Sequence, residues 1–346
     1  MHNSPLTGIV PPRWRRLALL GLACLALSAC KDKQETPRQP AAKAEPVAIT
    51  LCHGGITDIL PRIALEHGFF TGEGLAVTIK EMDGKQAFTG LLAGECDFAV
   101  NAAPPIVSLT VPGQSKFAIL ATVMADDDSV RIVARRDRGI NSPQDFKGKR
   151  IGTKKGVLGH FFLDLFVMKN GLASGDVTPV FMESEQLQPA LAAGEIDGFS
   201  MTNKLVLNAA RALGDQAKVF AEPGLSISYG ILTTRTDVPL DLQVTPQLLQ
   251  ALLKAEEFAK REPTPAKAMV ATAAKLSEKD VDDIWTRTDI EVRLDNSLFV
   301  NLEDTYKWMV ERGSLPAAQT FPNFLTFVEP RHLSAIRPGA VSVIKR

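Results

Sequence analysis

The chain has 346 residues, with 39 Lys and Arg against 39 Asp and Glu, and 45% of it is hydrophobic. That length and apolar share can build two lobes with substantial cores. The even charge excludes nucleic acid as an expected partner, so any attraction for a charged ligand must be local.

At the N-terminus Arg13, Arg15 and Arg16 precede Leu17 to Leu27, an apolar run of 11 residues. It is too short for a hydrocarbon core about 30 Å thick and predicts a secretory signal. The run closes in Leu27-Ser28-Ala29-Cys30, which resembles the bacterial lipobox, so residues 1–29 read as signal and Cys30 as the lipidated residue. Residues 30–46 contain three prolines and no large apolar side chain, the composition of a flexible tether. Removing the signal leaves 36 basic against 39 acidic residues, net −3. No second segment is long enough to span a membrane. The expected location is the cell envelope, anchored through Cys30 and facing the periplasm or the cell exterior.

From Val47 short apolar runs alternate with longer amphipathic ones, the sign of mostly parallel sheets covered by helices. Val47 to Leu51 predicts a strand, and Thr57-Asp58 can cap a helix through His67 that ends at Gly68. Leu75 to Lys80 is the next strand, Lys85 to Ala93 a helix and Asp97 to Val100 a strand. Pro104-Pro105 begins another helix. Phe117 to Met124 and Ser129 to Arg135 read as strands flanking Asp126-Asp127-Asp128, which reads as a solvated hinge. Ser142-Pro143-Gln144-Asp145 starts a helix leading to strand Arg150 to Gly152. Phe161 to Lys169 is helical, Val177 to Met182 a strand and Gln186 to Ala193 a helix. Val219-Phe220 and Ile227 to Thr233 read as strands, followed by helices over Pro246 to Arg261, Pro265 to Ala274, Val281 to Thr288 and Leu298 to Arg312. The tail from Phe321 reads as irregular.

Within this pattern Leu91 to Val100 returns as Leu191 to Ser200, with five of ten positions identical. Each copy ends a helix at a glycine and turns through Glu-x-Asp into a short buried strand. One helix-to-strand unit is therefore built twice, placing lobe 1 over residues 47–125 and 223–346 and lobe 2 over 126–222. Two crossings then permit a hinge. Cys52 falls late in one strand and Cys96 at the start of another. If those strands are parallel neighbours, an offset of roughly four residues exceeds the ~7 Å Cα limit, so two buried free thiols are expected.

Three segments carry a family resemblance: His67-Gly68-Phe69-Phe70-Thr71-Gly72-Glu73-Gly74-Leu75, Leu92-Ala93-Gly94-Glu95-Cys96-Asp97-Phe98, and Asn141 to Gly152 with Lys147-Gly148-Lys149. In order and spacing they resemble the substrate-binding proteins of ABC importers for nitrate, sulfonates, taurine and thiamine precursors. The resemblance implies a type 2 periplasmic-binding fold, two α/β lobes with a ligand cleft between them, and delivery of a small solute to a permease in the inner membrane. Taken alone, Gly68-Phe69-Phe70 ends a helix and plants aromatics in the core, and Lys147-Gly148-Lys149 is a solvated turn.

In open α/β lobes ligands sit beyond the carboxyl ends of the strands, at helix N-termini. That places His53, Gly54, Gly55 and Thr57 after the first strand, and Gln86 at the start of the helix after the second strand, where it binds ligand or caps. Asn101 with Ala102, and Thr202 with Asn203, end the two echoed strands and suit a turn as well as a ligand. The loop Gly152 to His160 is the most chemically suggestive. Lys154, Gly156 and His160 there suit an anionic head group, although Lys155 can face solvent and His160 can satisfy a helix end. Tyr229, near the second crossing, either contacts ligand or pins the hinge. Trp285 and Trp308 both fall in C-terminal helices, so no aromatic cage for a quaternary amine is expected.

No metal, phosphate-loop or nucleophile motif occurs, so neither cofactor, metal nor enzymatic activity is expected. The reading is a monomeric, lipid-anchored binding protein that delivers a small, anionic organic solute, sulfonate-, nitrate- or thiamine-precursor-like, to an ABC permease. The alternatives are an envelope sensor or assembly lipoprotein on the same fold, or a biosynthetic enzyme of that fold.

Overall fold

A computed structural model describes residues 45–53, 59–82, 84–316 and 321–343. The expected signal, Cys30 and all but the end of the tether lie outside these residues, as do Gly54, Gly55 and Thr57. No helix among the described residues is long and apolar enough to cross a membrane.

The first elements are β1 (Val47–His53), α1 (Ile59–Glu66), α2 (Phe69–Gly72), β2 (Leu75–Glu81), α3 (Gly84–Ala93), β3 (Phe98–Asn101), α4 (Ala103–Leu109) and β4 (Phe117–Asp126). The chain continues through β5 (Val130–Arg135), β6 (Arg150–Thr153), α5 (Leu158–Lys169), β7 (Thr178–Phe181), α6 (Ser184–Ala193), β8 (Gly198–Thr202), α7 (Asn203–Leu213) and β9 (Ala217–Phe220). It then returns by β10 (Ser228–Arg235) to α8 (Pro239–Arg261), α9 (Pro263–Ala274), α10 (Glu278–Trp285), β11 (Thr288–Asp289), α11 (Asn296–Glu311) and α12 (Arg331–Ile336).

Two sheets result, ordered β11-β4-β10-β3-β1-β2 and β7-β6-β8-β5-β9. In the first, β1 lies parallel between β2 and β3, and β10 runs antiparallel to β3. In the second, β6 lies parallel between β7 and β8, and β5 runs antiparallel to β8. Phe70, Phe88 and Phe98 fill the first lobe's core, and Phe146, Phe162, Phe166 and Phe199 are fully buried in the second. The chain crosses between the sheets after Asp126 and again between Phe220 and Ser228.

Several elements differ from the sequence reading. Ser142 and Asp145 do form a capping box, but it heads a single 3₁₀ turn, Pro143–Phe146. Helix α8 begins at Pro239 and passes through Pro246, which was expected at its start. Thr288 leaves the helix to pair with Asp126 at the sheet edge. The tail contains a 3₁₀ turn, Phe324–Phe327, and α12.

The two copies of the echo are built alike. Gly94 and Gly194 both adopt left-handed backbone, φ 82° and 74°, a conformation that costs other residues about 1 kcal/mol or more. Asp97 accepts from the Thr50 amide at 2.6 Å and donates its own amide to the Thr50 carbonyl at 2.9 Å. Asp197 does the same to Arg150, at 2.9 and 2.8 Å. The Asp of each echo is thus a clamp between neighbouring strands, repeated at a spacing of 100 residues.

At the next matched positions the lobes diverge. In lobe 2 Ile196 packs against the bare Cα of Gly152, where an added Cβ would stand 2.7 Å from the isoleucine side chain. In lobe 1 the same corner holds Cys52 and Cys96, joined by a disulfide with Cα atoms 5.9 Å apart. This corrects the expectation of two free thiols. Cys96 does not extend β3, which begins at Phe98; it sits in the turn after Gly94, so strand rise does not set its distance from Cys52.

Candidate functional site

Strands β1 and β3 end at His53 and Asn101, both buried. The Asn101 side-chain amide donates to Thr233 Oγ1 at 3.1 Å, and Thr233 Oγ1 donates to the Ala99 carbonyl at 3.2 Å, which fixes the amide's orientation. Ala102 is the residue from which α4 starts. In lobe 2 the corresponding strand ends at Thr202, which is exposed, and Asn203 opens α7. Asn203 donates from its side chain to the Asp128 carbonyl at 2.7 Å and from its amide to the Ser129 carbonyl at 3.0 Å. Asn101 is thus held by the Thr233 hydroxyl of β10, whereas Asn203 anchors backbone and ties the start of α7 to the first crossing. Gln86 is exposed in the first turn of α3. Its echo, Gln186, accepts from the Glu183 amide at 3.0 Å and so caps α6.

The Arg62 hydrogen bond, 2.8 Å, holds the Glu81 carboxyl below its ordinary range, and His53 and Lys204 of α7 add to that field.

The loop after β6 is more self-contained than its sequence implies. Lys154 forms an ion pair with Glu183 at 2.7 Å. The Gly156 amide donates to His160 Nδ1 at 3.4 Å, and burial depresses the His160 pKa, so its imidazole is neutral at pH 7. Lys155 lies 6.0 Å over the Phe181 ring. Gly159 lets α5 lie against β8: a Cβ there would approach the Ser200 carbonyl oxygen to 2.5 Å. The uncapped start of α5 at Val157 remains the anion-favouring feature of this loop.

A direct bridge joins the lobes farther along α5. Asp164 accepts from Trp308 Nε1 at 2.8 Å and lies 2.9 Å from Arg312 Nε, while His160 Nε2 stands 3.6 Å away. Trp308 packs on His160 and Phe161, each with ring centroids 5.0 Å apart. Trp308 belongs to α11, which packs against α4 of the first lobe. Beside this bridge lies a cavity of about 660 Å³ walled by α5, the second crossing from Gly224 to Tyr229, and α11. Of the residues singled out in sequence, Tyr229 lines it, and its hydroxyl meets Ser297 Oγ at 2.9 Å. His53, Asn101, Lys154, His160, Thr202 and Asn203 do not. Sequence reasoning missed Asp164, Ser297 and Asn301, and set Trp308 aside as a C-terminal helix residue. A rare Trp on an amphipathic helix was the available signal.

Two residues of the acidic run at the first crossing, Asp126 and Asp128, are buried and Asp127 is half-buried, which corrects the reading of a solvated hinge. β4 runs on through Asp126, which is fully buried between β10 and β11, and Asp128 is buried against Arg131 at 2.5 Å. Among the described residues no group of three His, Cys, Asp or Glu could hold a metal ion. Burial raises the Asp126 pKa from 3.8 to about 6, against the hydrogen bond from the Asp128 amide. A carboxyl whose folded pKa is raised destabilises the fold once ionised, so the penalty is absent below about pH 4 and complete above about pH 6. Asp126→Asn is therefore expected to stabilise the protein by about 2–3 kcal/mol at pH 7.5 and to be near neutral at pH 4, as read by urea unfolding. Equal effects at both pH values would contradict this.

Residues 60–266 match the sequence profile of the family described as NMT1/THI5 like. A Brucella abortus (strain 2308) protein named as a binding protein is 24% identical over 225 residues, 64% of this chain and 69% of that protein. The 4-amino-5-hydroxymethyl-2-methylpyrimidine phosphate synthase of Schizosaccharomyces pombe is 29% identical over 137 residues, 39% of this chain and 38% of that one. Among solved structures, the alkanesulfonate-binding protein SsuA of Xanthomonas axonopodis pv. citri superposes with a TM-score of 0.66 at 18% identity, covering 83% of this chain and 99% of its own. The fold is that of the periplasmic binding proteins.

Proposed function

The chain belongs to the NMT1/THI5-like family, and we propose that it is a solute-binding protein of the cell envelope that holds a small organic solute between its lobes and presents it to an ABC permease. The observation that carries this reading is the cavity of about 660 Å³ bounded by both lobes and the crossing between them. Its volume is that of a small-molecule site, roughly 300–1,000 Å³. A solute that touches both lobes favours one arrangement of them, and that arrangement is what a permease can recognise.

An anionic group on the solute is supported by the uncapped N-terminus of α5 more than by Lys154 or His160, which have protein partners of their own. Anchoring through Cys30 follows from the lipobox-like end of the signal. The likeness to the Schizosaccharomyces pombe synthase supports a second reading, an enzyme on this fold.

A thermal-shift screen of alkanesulfonates, nitrate, aromatic carboxylates and aminopyrimidines tests the proposal. One class at about 100 times its dissociation constant should stabilise the chain by about 2.7 kcal/mol, with the solute recovered chemically unchanged. Conversion of the solute, or no stabilisation by any class, would overturn it.

A further inference from the structure

Large apolar side chains left exposed one by one need no explanation, but several converging on one hollow do. Met168 is 68% exposed, Val300 58% and Ile227 41%. They stand on α5, α11 and the second crossing, three elements distant in sequence, and all three line the 660 Å³ cavity. Leu165 and Phe161 join them, together with Trp308, whose indole N–H is already taken by Asp164. The cations of the wall also face carboxylates: Arg312 lies 2.9 Å from Asp164, and Lys307 3.5 Å from Asp304. The wall therefore offers a mostly apolar surface, interrupted by Ser226, Ser297, Asn301 and Glu311, and no uncompensated positive charge.

We propose that this cavity is an apolar subsite that takes the hydrocarbon or aromatic body of the solute, and that the protein selects solutes whose body runs to several carbons. This rests on the reading that a solute is held between the lobes. Because the three exposed side chains come from one lobe, the other lobe and the crossing, a body seated among them gains its full burial in a single lobe arrangement. The strand-end residues do not line this cavity, so the subsite is separate from them.

Two straight-chain series test it: alkanesulfonates and alkylamines of two to eight carbons, titrated by calorimetry into the full chain. Affinity should rise about three- to fourfold per methylene in at least one series, as burial of a CH₂ group predicts. That slope should collapse in Val300→Asp and in Met168→Glu. Both positions are exposed, so both variants should melt as the parent does without ligand. A flat dependence on chain length, or a slope untouched by both variants, overturns the subsite. If the shortest members bind with no slope, solute binding stands and the subsite falls. Should neither series bind and the wider solute screen also fail, the functional reading falls with it.

Discussion

Glu256→Ala is expected to cost about 1–3 kcal/mol, because it removes the buried acceptor shared by two cations and a backbone amide. The Glu256 side chain on α8 is 4% exposed and accepts from Arg337 Nη1 through both oxygens at 2.8 Å. Lys260 reaches it at 2.7 Å and the Val292 amide at 2.8 Å. One carboxylate thus fastens α8, the segment before α11 and the chain after α12 in lobe 1. Burial pushes the Glu256 pKa up, but the hydrogen bonds from Arg337, Lys260 and Val292 outweigh it, and the pKa ends below 4.5. A depressed folded pKa gives stability that is present above the unfolded value of 4.5 and lost as pH falls through the lower folded one. Urea unfolding should therefore show the gap between the parent and Glu256→Gln closing as the pH falls below 4.5. A constant gap would contradict the network. Asp126 has the opposite sign, which lets the two carboxyls be separated by pH alone.

The second large effect concerns the disulfide. Cys52 and Cys96 are 44 residues apart, and closing a loop of that size in the unfolded chain is worth about 4 kcal/mol in the chain-entropy picture. Removing it by Cys52→Ala with Cys96→Ala is expected to lower stability by about 2–4 kcal/mol, measured by denaturant unfolding without reductant. In the parent neither thiol should react with an alkylating reagent under denaturing, non-reducing conditions. Alkylation at Cys52 and Cys96, or a double variant as stable as the parent, would contradict the bond. The loss should fall on lobe 1, since lobe 2 closes the matched corner with Gly152 against Ile196.

Features set by short-range chemistry were legible in the sequence. The echoed Gly-Glu-x-Asp corners, the Pro104-Pro105 helix start and the left-handed glycines depend on neighbouring residues, and they occur where the pattern places them. What was not legible depends on residues brought together from afar. Asp126 reads as solvated because three consecutive acids favour water, yet β10 and β11 arrive more than 100 residues later to bury it. Trp308 and Asp164 are 144 residues apart, and no local pattern announces their contact. Lys154 reads as a ligand's partner until Glu183, on the far side of β7, takes its charge. The disulfide was missed because strand geometry was extended two residues too far, into a turn.

The most direct test of a solute held between two lobes is the distance between spin labels on Glu66→Cys in α1 and Glu185→Cys in α6, measured with and without the solute that stabilises the protein in the screen. Both positions are exposed. Bound solute should shift the distribution to a single, shorter population. A distribution that saturating solute leaves unchanged would contradict the account.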